Sequence, residues 1–233
     1  MPPLHTADLD LDVDTIVFDI LGTLVDHTAG LRAALAQLAP DPGQVDGLVA
    51  LWGRRISAEH RRIVDGERAY APGTVLDREA AREVAEAAGV SGPGAVDTLV
   101  RAARQRPAWP DSADALARLG AGHELIGLSN ADTTDLLRMN ASAGLRWHTA
   151  LSTQAVGSYK PDPAVYRLAI DSADRPPGRM LMIAAHAWDL RGAQAAGLRT
   201  AYLERPGGDP PTAEDRFDLR LGALAELTGA PRP

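Results

Sequence analysis

The stretch TIVFDILGTLVD, from Thr15 to Asp26, sets the architecture of the chain. Its apolar run predicts a buried strand that ends at Asp19, and the glycine three residues later marks the turn that leaves the strand. In proteins that alternate parallel strands with helices, ligands bind at the carboxyl ends of the strands. Asp19 is therefore a candidate nucleophile or metal ligand, and the alternative is that it only forms the turn.

Apolar runs and helical patterns alternate over most of the chain. After the first strand, further strands are predicted at 123–130, His148–Ser152, Met180–Ala185 and Thr200–Leu203. From about Asp26 to Arg106 only helical periodicity is found. Strands separated by helices form a parallel sheet with right-handed crossovers. The predicted fold class is α/β, a doubly wound parallel-sheet core (residues 9–26 and 109–233) with an inserted helical cap (residues 27–108).

Composition excludes several classes of function. The chain has 233 residues, a formal net charge of -7 and no cysteine, so neither a nucleic-acid partner nor a disulfide or thiolate site is expected. Its acidic start, MPPLHTADLDLDVD, lacks the apolar segment of a signal peptide. No apolar run approaches the roughly 18–20 residues of a membrane span. We therefore expect a cytoplasmic protein with no membrane partner.

Polar side chains follow the predicted strands at four points along the chain. These are Asp19 with Thr23, Ser129 with Asn130, Lys160 in SYKPDPAVY, and His186 with Asp189 in IAAHAWDL. Taken singly, each has an ordinary explanation as a helix cap, a turn former, a solvated lysine or a hydrogen-bonded histidine. Because the strands of a parallel sheet end at the same edge, the four groups together favour one shared site.

In this order, the four segments resemble the motifs of the haloacid dehalogenase superfamily. FDILGTL is similar to its first motif, LSN to the second, YKPDPAVY to the third and AAHAWDL to the fourth. The resemblance implies a covalent mechanism in which Asp19 is the nucleophile. It also implies that Thr23 and Ser129 hydrogen-bond the reacting centre, that Lys160 offsets the negative charge, and that Asp189 completes the site. A neighbouring ammonium group keeps a carboxylate ionised and stabilises charge in the transition state.

Two departures from the superfamily's phosphatases point to another branch. Those enzymes carry a second aspartate two residues after the nucleophile, where this chain has Leu21, and acidic residues in the fourth motif, which here begins Ala184-Ala185-His186. Magnesium requires oxygen ligands, so we expect no metal and no other cofactor. The chain is more similar to the type II (S)-2-haloacid dehalogenases, in which the aspartate attacks C2 of a 2-haloalkanoate. Tyr166 matches a tyrosine of their site.

Other positions differ from those dehalogenases. An arginine that follows a tryptophan of the cap normally faces the halide, whereas here Trp52 is followed by Gly53. Arg54 or Arg55 is the candidate replacement, and the alternative is that both lie on a solvated face. Leu21 stands where an aromatic residue usually forms a wall of the pocket.

The residues AAH also resemble a subgroup that includes cis-epoxysuccinate hydrolases, in which His186 would protonate the alkoxide. His186 could equally act with Asp189 on the hydrolytic water.

The sequence thus predicts a metal-independent hydrolase that forms an aspartyl ester with a small anionic organic acid, most simply a 2-haloacid. Asp19, Lys160, Asp189 and His186 are its predicted catalytic residues. The predicted substrate-binding residues are Thr23, Leu21, Ser129, Asn130, Tyr166, Arg54 and Arg55. The alternatives are hydrolysis of a small anionic epoxide, then phosphatase activity, then binding of a small acid without catalysis. Related dehalogenases are often dimers, which allows a homodimer here.

Overall fold

A computed structural model describes residues 12–39, 41–90, 92 and 94–228 of the chain. The first eleven residues are outside this range. They include most of the N-terminal stretch in which no signal peptide is expected, and residues 9–11 of the predicted core. No helix among the described residues is long and apolar enough to cross a membrane.

Six parallel strands form one sheet. They are β1 (Thr15–Asp19), β2 (Glu124–Ser129), β3 (Thr149–Ser152), β4 (Met180–Ala184), β5 (Arg199–Leu203) and β6 (Leu219–Leu221), in the spatial order β3-β2-β1-β4-β5-β6. The chain builds outward from β1 to β3 on one side and then returns to place β4 on the other side. The crevice outside the end of β1 is thus the topological switch point, where doubly wound sheets bind their ligands.

The sheet is buried on both faces because its central strands are continuous apolar runs. In β1, Ile16 and Phe18 pack in one apolar cluster and Val17 packs in another, as expected when successive side chains point to opposite faces. The core helices are α5 (Ser112–Leu119), α6 (Thr133–Ala143), α7 (Pro163–Ala173) and α8 (Ala187–Ala195). This parallel sheet with flanking helices confirms the predicted α/β fold class.

Five of the six strands lie where the sequence predicts them, and β6 was not predicted. With three residues and a single exposed arginine between two buried leucines, β6 has too short a pattern to separate from the surrounding loop. The segment ERPGGDPPT before it contains no helix or strand, as expected of a loop.

Between β1 and α5 the described chain forms helices joined by loops, with no further strand. The helices are α1 (Ala29–Leu38), α2 (Val45–Val64), α3 (Gly73–Ala87) and α4 (Ala95–Ala102). Their buried side chains form a separate apolar cluster that includes Leu35, Trp52 and Leu99, all from this segment. An independent apolar cluster supports our proposal that residues 27–108 are a cap, with the boundaries expected from the sequence.

Candidate active site

Two carboxylates share one lysine at the carboxyl end of β1. Lys160 Nζ donates hydrogen bonds to Asp19 Oδ1 at 2.9 Å and to Asp189 Oδ2 at 2.8 Å. All three side chains are buried, and Lys160 is only 2% exposed. Lys160 is also the sole lysine of the chain. A buried carboxylate pair is stable only when a cation and hydrogen bonds compensate for the lost water, and this ammonium group supplies both.

The three charges change one another's ionisation. Burial alone would raise the pKa of Asp19, but the charge of Lys160 and the hydrogen bonds from Thr23 and Lys160 hold that pKa below its ordinary value. Burial and the neighbouring charge of Asp19 raise the pKa of Asp189. The two carboxylates raise the pKa of Lys160, although burial opposes them. Asp19 is therefore the carboxylate that the site keeps ionised, as a nucleophile must be.

Hydrogen bonds from Thr23 and Tyr166 fix the two carboxylates. Thr23 Oγ1 donates to Asp19 Oδ2 at 2.6 Å and accepts from the backbone N–H of Ala185 at 2.9 Å. Tyr166 donates to Asp189 Oδ1 at 2.7 Å, so both oxygens of Asp189 are bonded. Tyr166 is fully buried behind Asp189 and does not line the cavity described below. Its position therefore supports a role in orienting Asp189.

The carboxyl end of β2 brings Asn130 to the site, whereas the side chain of Ser129 bonds the backbone of the loop that follows. Asn130 Oδ1 accepts from the backbone N–H of Lys160 at 3.0 Å, and Asn130 lines the cavity. Ser129 Oγ accepts from the backbone N–H of Ala131 at 3.1 Å and is not part of the cavity wall. The geometry of Ser129 is thus that of a residue that shapes the loop.

His186 lies near the oxygen of Asp19 that Lys160 does not bind. Its Nε2 is 4.0 Å from Asp19 Oδ2 and 3.1 Å from the backbone carbonyl oxygen of Leu21. Because a carbonyl oxygen can only accept, this contact assigns the proton to Nε2. Leu21 itself lines the cavity, where its apolar side chain offers neither a proton nor a metal ligand.

A cavity of about 230 Å³ opens in front of Asp19, between the core and the cap. Its apolar wall includes Leu21, Leu31, Val49, Trp52, Ile56, Leu76 and Trp188, and its polar wall includes His27, Thr28, Ser57, His60, Thr74, Asp77, Arg106, Asn130, Asp132, Asp135 and His186. A space of this size beside an ionised carboxylate suits a small substrate.

The candidate arginines of α2 are not part of this cavity. The residues of α2 that line it are Val49, Trp52, Gly53, Ile56, Ser57 and His60, which form one stripe at the helical period. Arg54 and Arg55 fall outside that stripe. Arg54 is exposed, and Arg55 faces Glu59, Glu79 and Glu83 at 3.2–3.7 Å. The rotation of α2 thus places Gly53 at the cavity, and both arginines point away from it.

Six titratable residues of the cavity wall were not predicted from the sequence, namely His27, His60, Asp77, Arg106, Asp132 and Asp135. Burial lowers the pKa of His27 and of His60 to about 4, so both rings are neutral near pH 7. Burial raises the pKa of Asp77 to about 6, although Arg106 opposes this. Arg106 pairs with Asp135 through Nη1 at 2.6 Å. A single sequence carries no signal for these residues, because they reach the cavity only when the cap packs on the core.

Among the described residues, no group of three or more histidine, aspartate or glutamate side chains is arranged to hold a metal ion. The polar groups nearest to Asp19 in the geometry above are instead an ammonium, a hydroxyl and an imidazole. This donor set can position and stabilise a carboxylate, but it does not resemble the oxygen-rich shell that magnesium prefers.

Comparisons with known proteins agree with this geometry. The family profile of the haloacid dehalogenase-like hydrolases matches residues 13–197. The chain is 30% identical to (S)-2-haloacid dehalogenase 4A of Burkholderia cepacia, over 91% of each protein. It is 31% identical to (S)-2-haloacid dehalogenase 1 of Pseudomonas sp. (strain CBS-3), over 81% of this chain and 83% of that one. The crystal structure of an L-2-haloacid dehalogenase superposes with a TM-score of 0.82 at 30% identity, over 93% of this chain and 97% of the other.

Proposed function

The chain belongs to the haloacid dehalogenase-like hydrolases, and we propose that it is an (S)-2-haloacid dehalogenase that converts a small 2-haloalkanoate to the 2-hydroxy acid. The single observation that carries the proposal is the position of Asp19. It is a buried, ionised carboxylate that bonds the sole lysine and faces a cavity of small-molecule size. The relatives that match over nearly the whole chain are haloacid dehalogenases, which supports the same reaction class.

In the first step, an oxygen of Asp19 attacks C2 of the substrate. A C–O bond forms and the carbon–halogen bond breaks, its electron pair leaving with the halide, so that no proton is required. Lys160 and Thr23 hold the two carboxylate oxygens and fix the direction of attack. Because Asp19 is buried, few water molecules solvate its carboxylate, and a poorly solvated carboxylate is a stronger nucleophile. The product of this step is an ester of Asp19 with inverted configuration at C2.

In the second step, water hydrolyses the ester at the carbonyl carbon of Asp19. The water oxygen bonds to that carbon, the acyl C–O bond breaks, and the 2-hydroxy acid leaves. We assign the proton from water to Nδ1 of His186, the ring nitrogen that carries no proton, because His186 lines the cavity beside Asp19. The same proton then passes to the alkoxide oxygen of the leaving 2-hydroxy acid. Asp189 is less suited to this role, since it is outside the cavity wall and both of its oxygens already accept hydrogen bonds. It holds Lys160 in place.

Hydrolysis of an anionic epoxide would use the same first step but would also need a proton donor for the alkoxide. The proton on His186 Nε2 is engaged by the carbonyl of Leu21, and this favours a halide leaving group. A phosphatase would need an acid or a metal ligand where Leu21 stands.

The test is release of chloride from (S)-2-chloropropionate in the presence of EDTA. We expect the wild-type protein to release chloride and to form (R)-lactate, whereas D19N releases none. The matched control is Asp114→Asn, which removes a carboxylate from an exposed ion pair with Arg118 and should keep full activity.

Absence of chloride release from the folded wild type would refute the proposal, and cis-epoxysuccinate would then be the next substrate to assay. A protein that only binds small acids would retain propionate in D19N and turn over neither substrate. The cytoplasmic location, the homodimer and the small organic-acid substrate expected from the sequence stay predictions.

A further inference from the structure

One side chain of the cavity has the charge that an anionic substrate requires. Of the described residues in the cavity wall, Arg106 is the one lysine or arginine. We propose that Arg106 binds the carboxylate of the substrate, an inference that rests on the function proposed above. The carboxylate is bound on the side of the cavity where the cap joins the core, while C2 faces Asp19.

The electrostatic balance of the cavity makes such a cation necessary. Four aspartates line it, namely Asp19, Asp77, Asp132 and Asp135, and burial keeps two of its three histidines neutral near pH 7. An anion that enters this cavity is therefore repelled unless a positive charge lies within it. Lys160 is bonded to Asp19 and Asp189 and is not part of the wall, so Arg106 is the group available to the substrate.

The backbone on either side of Arg106 is fixed by the two chain crossings between cap and core. Gly30 N–H donates to the carbonyl of Gln105 at 3.2 Å, and Asp26 N–H donates to the carbonyl of Pro107 at 2.8 Å. A side chain at Gly30 would overlap the carbonyl of Ala102, so only glycine permits this close approach. Arg106 therefore projects from a segment held on both sides.

Most N–H groups of the Arg106 guanidinium have no hydrogen-bond partner among the described residues. The side chain is 9% exposed, and among the described residues its one hydrogen-bond partner is Asp135, which occupies Nη1. The planar guanidinium carries five N–H groups in an arrangement that matches a carboxylate. Asp135 thus fixes the orientation of Arg106 and leaves other N–H groups for a second carboxylate.

Apart from Arg106, no lysine or arginine among the described residues of the cap lines the cavity. At Gly53, the position on α2 that faces the cavity, a Cβ atom would meet nothing within 4 Å, so this part of the wall is open space. Arg54 is exposed, and Arg55 is committed to Glu59, Glu79 and Glu83. The positive charge therefore comes from the junction of cap and core.

The competing explanation is that Arg106 only ties the cap to the core through Asp135. A matched set of variants separates the two explanations. Arg106→Met removes the charge and the tether. Asp135→Asn removes the ion pair of the tether and leaves the charge of Arg106. Arg118→Met removes an exposed arginine from an Arg–Asp pair with Asp114. Thermal unfolding of each variant establishes that it is folded.

Two measurements are made on each variant. The first is equilibrium binding of propionate, an inert carboxylate, by the fluorescence of Trp52 and Trp188, both of which line the cavity. The second is kcat/KM for (S)-2-chloropropionate. We expect R106M to lose about 100-fold or more in both, as when a single charged donor is removed from an active site. D135N should bind propionate at least as tightly as the wild type, and R118M should equal the wild type.

The binding measurement keeps this inference separate from the dehalogenase assignment. If R106M loses propionate binding and the other two variants keep it, the carboxylate role of Arg106 is supported even if no haloacid is turned over. The inference is overturned if R106M binds propionate as the wild type does, if D135N loses binding equally, or if the wild type binds no propionate.

Discussion

Replacing Lys160 by methionine would remove the one positive charge that is bonded to both Asp19 and Asp189. The two hydrogen bonds, at 2.9 and 2.8 Å, connect side chains that are almost fully removed from water. Breaking a buried ion pair by deleting one partner costs about 3–5 kcal/mol, because the remaining charge is left without compensation. That is a large part of a typical folding free energy of about 5–15 kcal/mol.

The loss should depend on pH. Without Lys160, two neighbouring carboxylates compete for ionisation, and the pKa of one of them rises above its value in the unfolded chain. Protonation of that carboxyl group relieves the repulsion at low pH. A group whose pKa is raised by folding destabilises the folded state increasingly as pH rises. We therefore expect the deficit in unfolding free energy of K160M to be larger at about pH 8 than at about pH 5.

Urea unfolding at both pH values measures this deficit. The double variant K160M/D19N is the control, since it removes the unpaired charge and should recover part of the lost stability at pH 8. Chloride release by K160M should fall by about 100-fold or more. A deficit below about 1 kcal/mol, or one that is the same at both pH values, would refute the account of this triad.

Three further predictions concern the cavity and its surroundings. Asp77→Asn should raise the thermal unfolding temperature at pH 8 but not at pH 4, because burial raises the pKa of Asp77 to about 6 and the charged form is disfavoured above it; equal effects at both pH values would contradict this. Gly53→Ala should raise the free energy of unfolding in urea by about 1 kcal/mol, since a Cβ there meets nothing. Gly30→Ala should lower it, because a Cβ there overlaps the carbonyl of Ala102, and effects of the same sign would contradict this. His186→Asn should accumulate the ester on Asp19 during turnover, visible as added mass in the peptide that contains it, and an unmodified peptide would exclude His186 as the base.

The end of the sheet that carries the candidate site could be predicted because the end of each strand and the side-chain types that follow it are local signals. β1 lies between β2 and β4, so Asp19 and the residues after those strands had to meet at one edge. Lys160 is in a loop, yet the lysine-proline pair of the third motif indicated its position. The structure brings Asp19, Lys160, Asp189 and His186 together, as the sequence predicts.

The cap side of the cavity could not be predicted in the same way. Whether Gly53, Arg54 or Arg55 faces the substrate depends on the rotation of α2, and a difference of one residue turns a side chain by about 100°. The sequence pattern fixes which face of α2 is apolar, but it does not show where the polar positions at its edge point. Arg106 comes from the junction of cap and core, so its role depends on how the two halves pack.

The most direct test of the central claim is a single turnover in water enriched in oxygen-18, with enzyme in excess over (S)-2-chloropropionate. If Asp19 is the nucleophile, the hydroxyl oxygen of the first lactate comes from its carboxylate. We therefore expect unlabelled lactate and one heavy oxygen in the peptide that contains Asp19. Labelled lactate and an unlabelled peptide would show direct attack by water and would contradict the aspartyl-ester mechanism.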